Sequence, residues 1–128
     1  MAGLRKILLV EDNPELRKMY ETFLTLNGFT IRTAVDGEDG LNQARDFKPD
    51  LVFLDIMMPK KDGFEVLKIL RHDPAYGCTK SKIVMLTNLG DSKLSPQTRK
   101  DMDGYVIKAE IVLSDLVEVV KSLEKPSA

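Results

Sequence analysis

Five polar side chains in this sequence stand directly after short apolar runs. Glu11 and Asp12 follow residues 6–10, Asp55 follows 51–54, Thr87 follows 82–86 and Lys108 follows 104–107. Runs of this length, bounded by charge or turn residues, carry the signature of strands buried on both faces. If the strands are parallel, their carboxyl ends share one rim, where three carboxylates, an ammonium and a hydroxyl converge. Three carboxylates in one crevice repel each other. The natural compensation is a hard cation that takes oxygen ligands, Mg²⁺ or Mn²⁺ in its stead, with Lys108 balancing further charge. A carboxylate held beside such a cation can attack phosphorus and form an aspartyl phosphate. The transfer then needs placement and stabilised charge rather than a separate base.

The elements that must position these groups alternate. After the first strand, Asn13-Pro14 supplies a cap and a first-turn proline, and Leu16, Met19, Tyr20 and Phe23 recur at helical spacing until Asn27-Gly28. The stretch 29–35 alternates more weakly, with Phe29, Ile31, Thr33 and Val35 against polar neighbours, which predicts a strand near the sheet edge. A modest helix follows from Asp36-Gly37 to Phe47, with Leu41 and Ala44 inward and two glycines weakening it. Asp62 and Glu65 resemble a capping pair ahead of a stripe of Phe64, Leu67 and Leu70, and 73–81 is predicted as loop. Ser95-Pro96 opens a short helix, and Ser114 is predicted to cap a last one with Leu116, Val117, Val120 and Leu123 inward. Strand and helix in alternation predict an α/β fold: a parallel, doubly wound sheet with helices on both faces and ligands bound at the carboxyl ends of its strands.

Bulk properties narrow the function classes. With 128 residues, 43% hydrophobic and 30% charged, the chain can bury a real core, and one domain over 1–128 is expected, its core about 5–124 with a short tail. A net charge of -1 from signs mixed along the chain provides no basic footprint, so direct nucleic-acid binding is not expected. The lone Cys78 allows no internal disulfide, and neither a signal-peptide hydrophobic region nor a membrane-length apolar run is present. A cytoplasmic protein without membrane insertion is the expectation.

The segments Leu9-Val-Glu-Asp-Asn13, Leu54-Asp-Ile-Met-Met-Pro59 with Asp62-Gly63, Leu86-Thr87 and Tyr105-Val-Ile-Lys108 together resemble the receiver domain of two-component response regulators, over roughly residues 5–124. The resemblance implies a five-stranded flavodoxin-like sheet of order 2-1-3-4-5, the order of chemotaxis regulators in this family. It also implies roles. Asp55 is the phosphoacceptor; Asp12 is a metal ligand, Glu11 an acidic neighbour acting through water, and the Met57 backbone carbonyl a further ligand. Lys108, Thr87 and the Asn88 backbone amide hold the phosphoryl group, and Thr87 with Tyr105 forms the switch. Implied partners are a histidine kinase or histidine phosphotransfer protein upstream and a protein target downstream, the receiver being a monomer or a phosphorylation-dependent dimer.

The sequence departs from that family in three places. Asn88 stands where a small residue usually follows the switch threonine. Lys108 precedes Ala109 rather than proline, and a cis bond there would cost about 2.5 to 4 kcal/mol, so a trans bond or a different loop is expected. Pro96 is incompatible with the interior of the usual long fourth helix. Met57 and Leu89 occupy positions that flank the phosphoryl site in that family; both are apolar here, and slow self-dephosphorylation is the expectation.

Simpler roles exist for each residue alone. Glu11-Asp12 suits a helix N-terminus, Asp55 an Asx turn, Thr87 a strand and Tyr105 a core. Two other functions compete with the switch. A degenerate receiver would bind partners without phosphorylation. A phosphatase or phosphomutase using an aspartyl phosphate usually carries a second aspartate two residues after the nucleophile, where this chain has Met57.

Overall fold

In the computed structural model, residues 5–56, 58, 62–87, 94–108 and 113–124 are described. The strands are β1 Lys6–Val10, β2 Thr30–Ala34, β3 Leu51–Asp55, β4 Lys82–Thr87 and β5 Gly104–Ile107. The helices are α1 Pro14–Leu26, α2 Gly37–Phe47, α3 Gly63–His72, α4 Pro96–Asp101 and α5 Leu113–Glu124. All strand pairs are parallel, in the order β2-β1-β3-β4-β5. The doubly wound α/β sheet and its order are those expected.

Alternation along the strands divides the core in two. Leu8, Val10, Val52, Leu54, Ile83 and Met85 point to one face, where Leu41 and Ala44 of α2 and Val66, Leu67 and Leu70 of α3 meet them. Ile7, Leu9, Leu51, Phe53, Val84 and Leu86 point to the other, covered by Tyr20 and Leu24 of α1 and Leu116 and Val120 of α5. The three central strands are apolar at consecutive positions because both of their faces are buried. The edge strand β2 is mixed: Thr30 and Arg32 are exposed, Ile31 and Thr33 half-buried and Ala34 buried.

Capping chemistry begins the helices where the sequence predicts. Asn13 accepts from the amides of Glu15 and Leu16, Asp36 from Asp39, Asp62 from Glu65 and Ser95 from Thr98. Four details differ. Ser114 lies inside α5, which already includes Leu113, so it does not cap that helix. The predicted loop at 73–81 contains a 3-10 turn, Pro74–Tyr76, because the Asp73 side chain accepts from Ala75 N and proline fits a first turn. Met19 is 43% exposed, since Tyr20 and Leu24 define the buried stripe of α1. Val35 is exposed just beyond β2, where Ala34 takes the inward position.

Two glycines let helices approach the sheet. A Cβ on Gly40 would lie 3.0 Å from Val10 Cγ1, so glycine lets α2 sit against β1 without the Val10 side chain giving way. A Cβ on Gly63 would collide with the Asp55 carbonyl oxygen and the Ile56 Cα, while the Gly63 amide donates to Ile56 O at 2.8 Å. The obstacle is backbone, which cannot swing aside. Gly63→Ala is therefore expected to destabilise the protein by about 2 kcal/mol, read as a lower urea midpoint at unchanged m-value; an unshifted midpoint would show that α3 can back away freely.

Candidate functional site

Strand register assembles the site. Val10 pairs with Leu54, Asp55 with Leu86 and Leu86 with Val106, so Glu11, Asp55 and Lys108 come at or just past the carboxyl ends of β1, β3 and β5, with β4 between the last two. Glu11 and Asp55 are almost sealed from solvent, at 0% and 2% exposure. Lys108 Nζ lies 3.0 Å from Glu11 Oε1 and 3.4 Å from Asp55 Oδ2, with its side chain 11% exposed. One ammonium thus faces two buried carboxylates. Asp12 completes the group: oxygens of Glu11, Asp12 and Asp55 all lie within 4.8 Å of one another.

The local backbone is held from below and behind. Glu11 N donates to Ala34 O, and Glu11 Oε2 accepts from Asn13 N at 3.1 Å. Arg17 Nη1 donates to Glu11 O at 3.0 Å and reaches Asp12 O at 3.4 Å. Ile56 N donates to Leu86 O, and Lys108 N to Thr87 O at 2.7 Å. Thr87 is buried at the end of β4, and Tyr105, paired with Met85 in register, is half-buried against the α2 and α3 side of the core. Alternation puts Tyr105 and Thr87 on the same face of the sheet.

Burial first, then the charge of Glu11 and side-chain hydrogen bonds with Asp12 and Glu11, push the Asp55 carboxyl up to about 7 against the opposing charge of Lys108. Burial alone would lower the Lys108 ammonium, but its contact with Glu11 and the charges of Asp55 and Glu11 outweigh burial and leave it raised. A buried anionic pair short of positive charge fits a cation. Glu11 Oε1 is buried without a well-aligned hydrogen bond, and every side-chain donor in the group is a carboxylate oxygen, the hard ligand that Mg²⁺ prefers.

The structure therefore brings together Glu11, Asp12, Asp55 and Lys108, with Thr87 and Tyr105 on the adjoining strands. Met57, Asn88, Leu89 and Ala109 lie outside the described residues. Arg17 is a supporting residue that sequence reasoning missed, because nothing in its spacing reveals a guanidinium folded back onto two carbonyls. Tyr20 is another: it lies buried under the site, and burial foremost raises its phenol pKa, with Lys108, Glu11 and Asp55 also acting on it. It reads in sequence as one more core aromatic.

Comparison with known proteins agrees with this geometry. Residues 7–121 match the family model of the response regulator receiver domain. The probable transcriptional regulator ycf27 of Guillardia theta is 45% identical over 104 residues, covering 80% of this chain and 39% of that protein. The transcriptional regulatory protein AfsQ1 of Streptomyces coelicolor is 37% identical over 103 residues, 80% of this chain and 44% of that protein. The chain thus spans about two fifths of the length of these curated relatives. Among solved structures, the receiver domain of Francisella response regulator 1452 superposes with a TM-score of 0.82 at 26% identity, covering 94% of this chain and 96% of that one. Response regulator TrrA of Thermotoga maritima, determined in complex with Mg²⁺ and BeF, gives a TM-score of 0.80 at 34% identity over 93% of this chain and 98% of that one. Family model, strand order and the acidic rim agree, and the chain belongs to the response regulator receiver domain family of two-component systems.

Proposed function

We propose that this receiver is a phosphoacceptor switch in which Asp55 takes a phosphoryl group from a histidine kinase or a histidine phosphotransfer protein and the change is passed to a protein target. The observation that carries the reading is the buried Asp55 carboxylate, 3.4 Å from the Lys108 ammonium and clustered with Glu11 and Asp12. We further propose one receiver domain over about 5–124, acting in the cytoplasm. Among the described residues no helix is long and apolar enough to cross a membrane.

A carboxyl pushed up to about 7 would be half protonated at neutral pH and a poor nucleophile. Asp12, Asp55, Glu11 through water and the Met57 backbone carbonyl would hold Mg²⁺. When bound, the ion neutralises the clustered carboxylates and shields the incoming phosphoryl oxygens. The ionised Asp55 oxygen then forms a bond to phosphorus as the bond from phosphorus to the donor nitrogen breaks. Lys108, Thr87 and the Asn88 amide receive the equatorial oxygens, where positive charge and donors stabilise the transferring group. The Thr87 hydroxyl turning toward the new phosphate frees space on the face it shares with Tyr105, whose half-buried ring can follow inward. Added charge of about -1.5 to -2 supplies the bias for that rearrangement.

Two measurements test this reading. Incubation with acetyl phosphate and Mg²⁺ is expected to add the mass of one phosphoryl group to the wild type and none to Asp55→Asn. A wild type that gains nothing would leave a receiver that binds without phosphorylation.

The second concerns pH. The folded pKa of Asp55 lies above its unfolded value, so the native state binds the proton more tightly, and stability from this group falls as pH rises from about 4 through about 7. Above that window, without metal, the native protein carries the buried charge. In EDTA at pH 8, Asp55→Asn is expected to melt about 5 °C higher than the wild type. The difference should narrow as the pH is lowered through 5, close near pH 4, and shrink when Mg²⁺ is added. Equal melting temperatures at pH 8 would mean that the carboxylate is not destabilised by burial.

A further inference from the structure

Lys108 reaches the site from β5, and β5 has little of its own to fix where it sits. It has four residues, lies at the edge of the sheet and, among the described residues, pairs only with β4. Each of its residues is half-buried, Tyr105 packing on one face of the sheet and Val106 on the other. A slip of one residue would exchange these two apolar side chains, so hydrophobic pattern penalises it weakly. Gly104 offers no steric stop either, because a Cβ there would meet nothing within 4 Å. Yet the slip would carry Lys108 about 3.3 Å along the strand and turn it to the opposite face, away from Glu11 and Asp55.

The register is held at the other end of the strand. Asp103 and Ile83 form a reciprocal pair: Asp103 N donates to Ile83 O at 2.8 Å, and Ile83 N donates to Asp103 Oδ2 at 2.8 Å. The same carboxylate oxygen accepts from Arg71 Nη2 at 2.8 Å. Arg71, in the last turn of α3, is itself fixed, with Nε on Asp101 O at 2.7 Å and Nη1 on Thr79 O and Ser81 O, each at 2.9 Å. Its planar fork is committed to both approaches to the β4 and β5 pair, which a single-point ammonium could not match.

We infer that Arg71 and Asp103 are positioning residues for Lys108: their ion pair locks the register of β5 on β4 and thereby sets the distance from the Lys108 ammonium to Asp55. The rate consequence rests on the phosphoacceptor reading; the register lock does not. Phosphorylation by acetyl phosphate should be about tenfold slower in Arg71→Ala, because displacing a charged group from a transfer site is costly, and about a hundredfold slower in Lys108→Ala. Acting through Lys108, the Arg71 change should add nothing in the double variant, which stays within about twofold of Lys108→Ala. Mg²⁺ affinity, which draws on Glu11, Asp12 and Asp55, should hold within about twofold in Arg71→Ala.

Hydrogen exchange of the Lys108 amide, bonded to Thr87 O, reads the register without phosphorylation and should be faster by about tenfold or more in Arg71→Ala. Asp103→Asn, which keeps an oxygen for Ile83 N, should show a smaller increase and serves if Arg71→Ala does not fold. Three results would overturn the inference: unchanged exchange at Lys108 in these variants, a wild-type phosphorylation rate in Arg71→Ala, or an undiminished Arg71 effect on the Lys108→Ala background. A wild type that accepts no phosphate overturns the phosphoacceptor reading instead, and the exchange experiment still decides the register lock.

Discussion

One ammonium between two buried carboxylates is the constraint on which the molecule is built. Removing Glu11 and Asp55 from water costs several kcal/mol per ion before any partner is counted, and Lys108 brings a single positive charge to meet both. The sheet can hold such a group only because its central strands are fixed by apolar side chains on both faces. Phe53, Leu54, Leu9 and Val10 are fully or almost fully buried immediately behind the site. Stability stored in the core thus offsets electrostatic stress concentrated at one rim.

Much of this was legible in the residues. Apolar runs at 6–10, 51–54 and 82–86 announce central strands because burial on both faces leaves no polar positions to blur them. Asn13-Pro14, Asp62 and Ser95-Pro96 mark helix starts because capping is a local interaction that a few residues determine. The carboxylates and Lys108 stand out for a related reason: a charge directly after a buried strand has nowhere to go except the rim.

Other features depend on partners distant in sequence and left no local trace. Ser114 has the right chemistry for a cap, yet α5 already includes Leu113. Met19 falls at helical spacing with the core positions of α1, but the stripe centres on Tyr20 and Leu24, leaving it at the margin. Arg17 and Arg71 look like ordinary surface cations. What they do comes from the carbonyls of Glu11 and Asp12 in one case, and from Asp101, Asp103, Thr79 and Ser81 in the other.

The polar character of β2 bears on how the molecule coexists with its own copies. An outermost strand presents main-chain donors and acceptors that another extended segment could adopt. Here Thr30 and Arg32 are solvated, and the Arg32 guanidinium is drawn over the Phe47 ring, 4.8 Å from its centroid. Charge and hydration along that border disfavour pairing of one sheet with the next through β2.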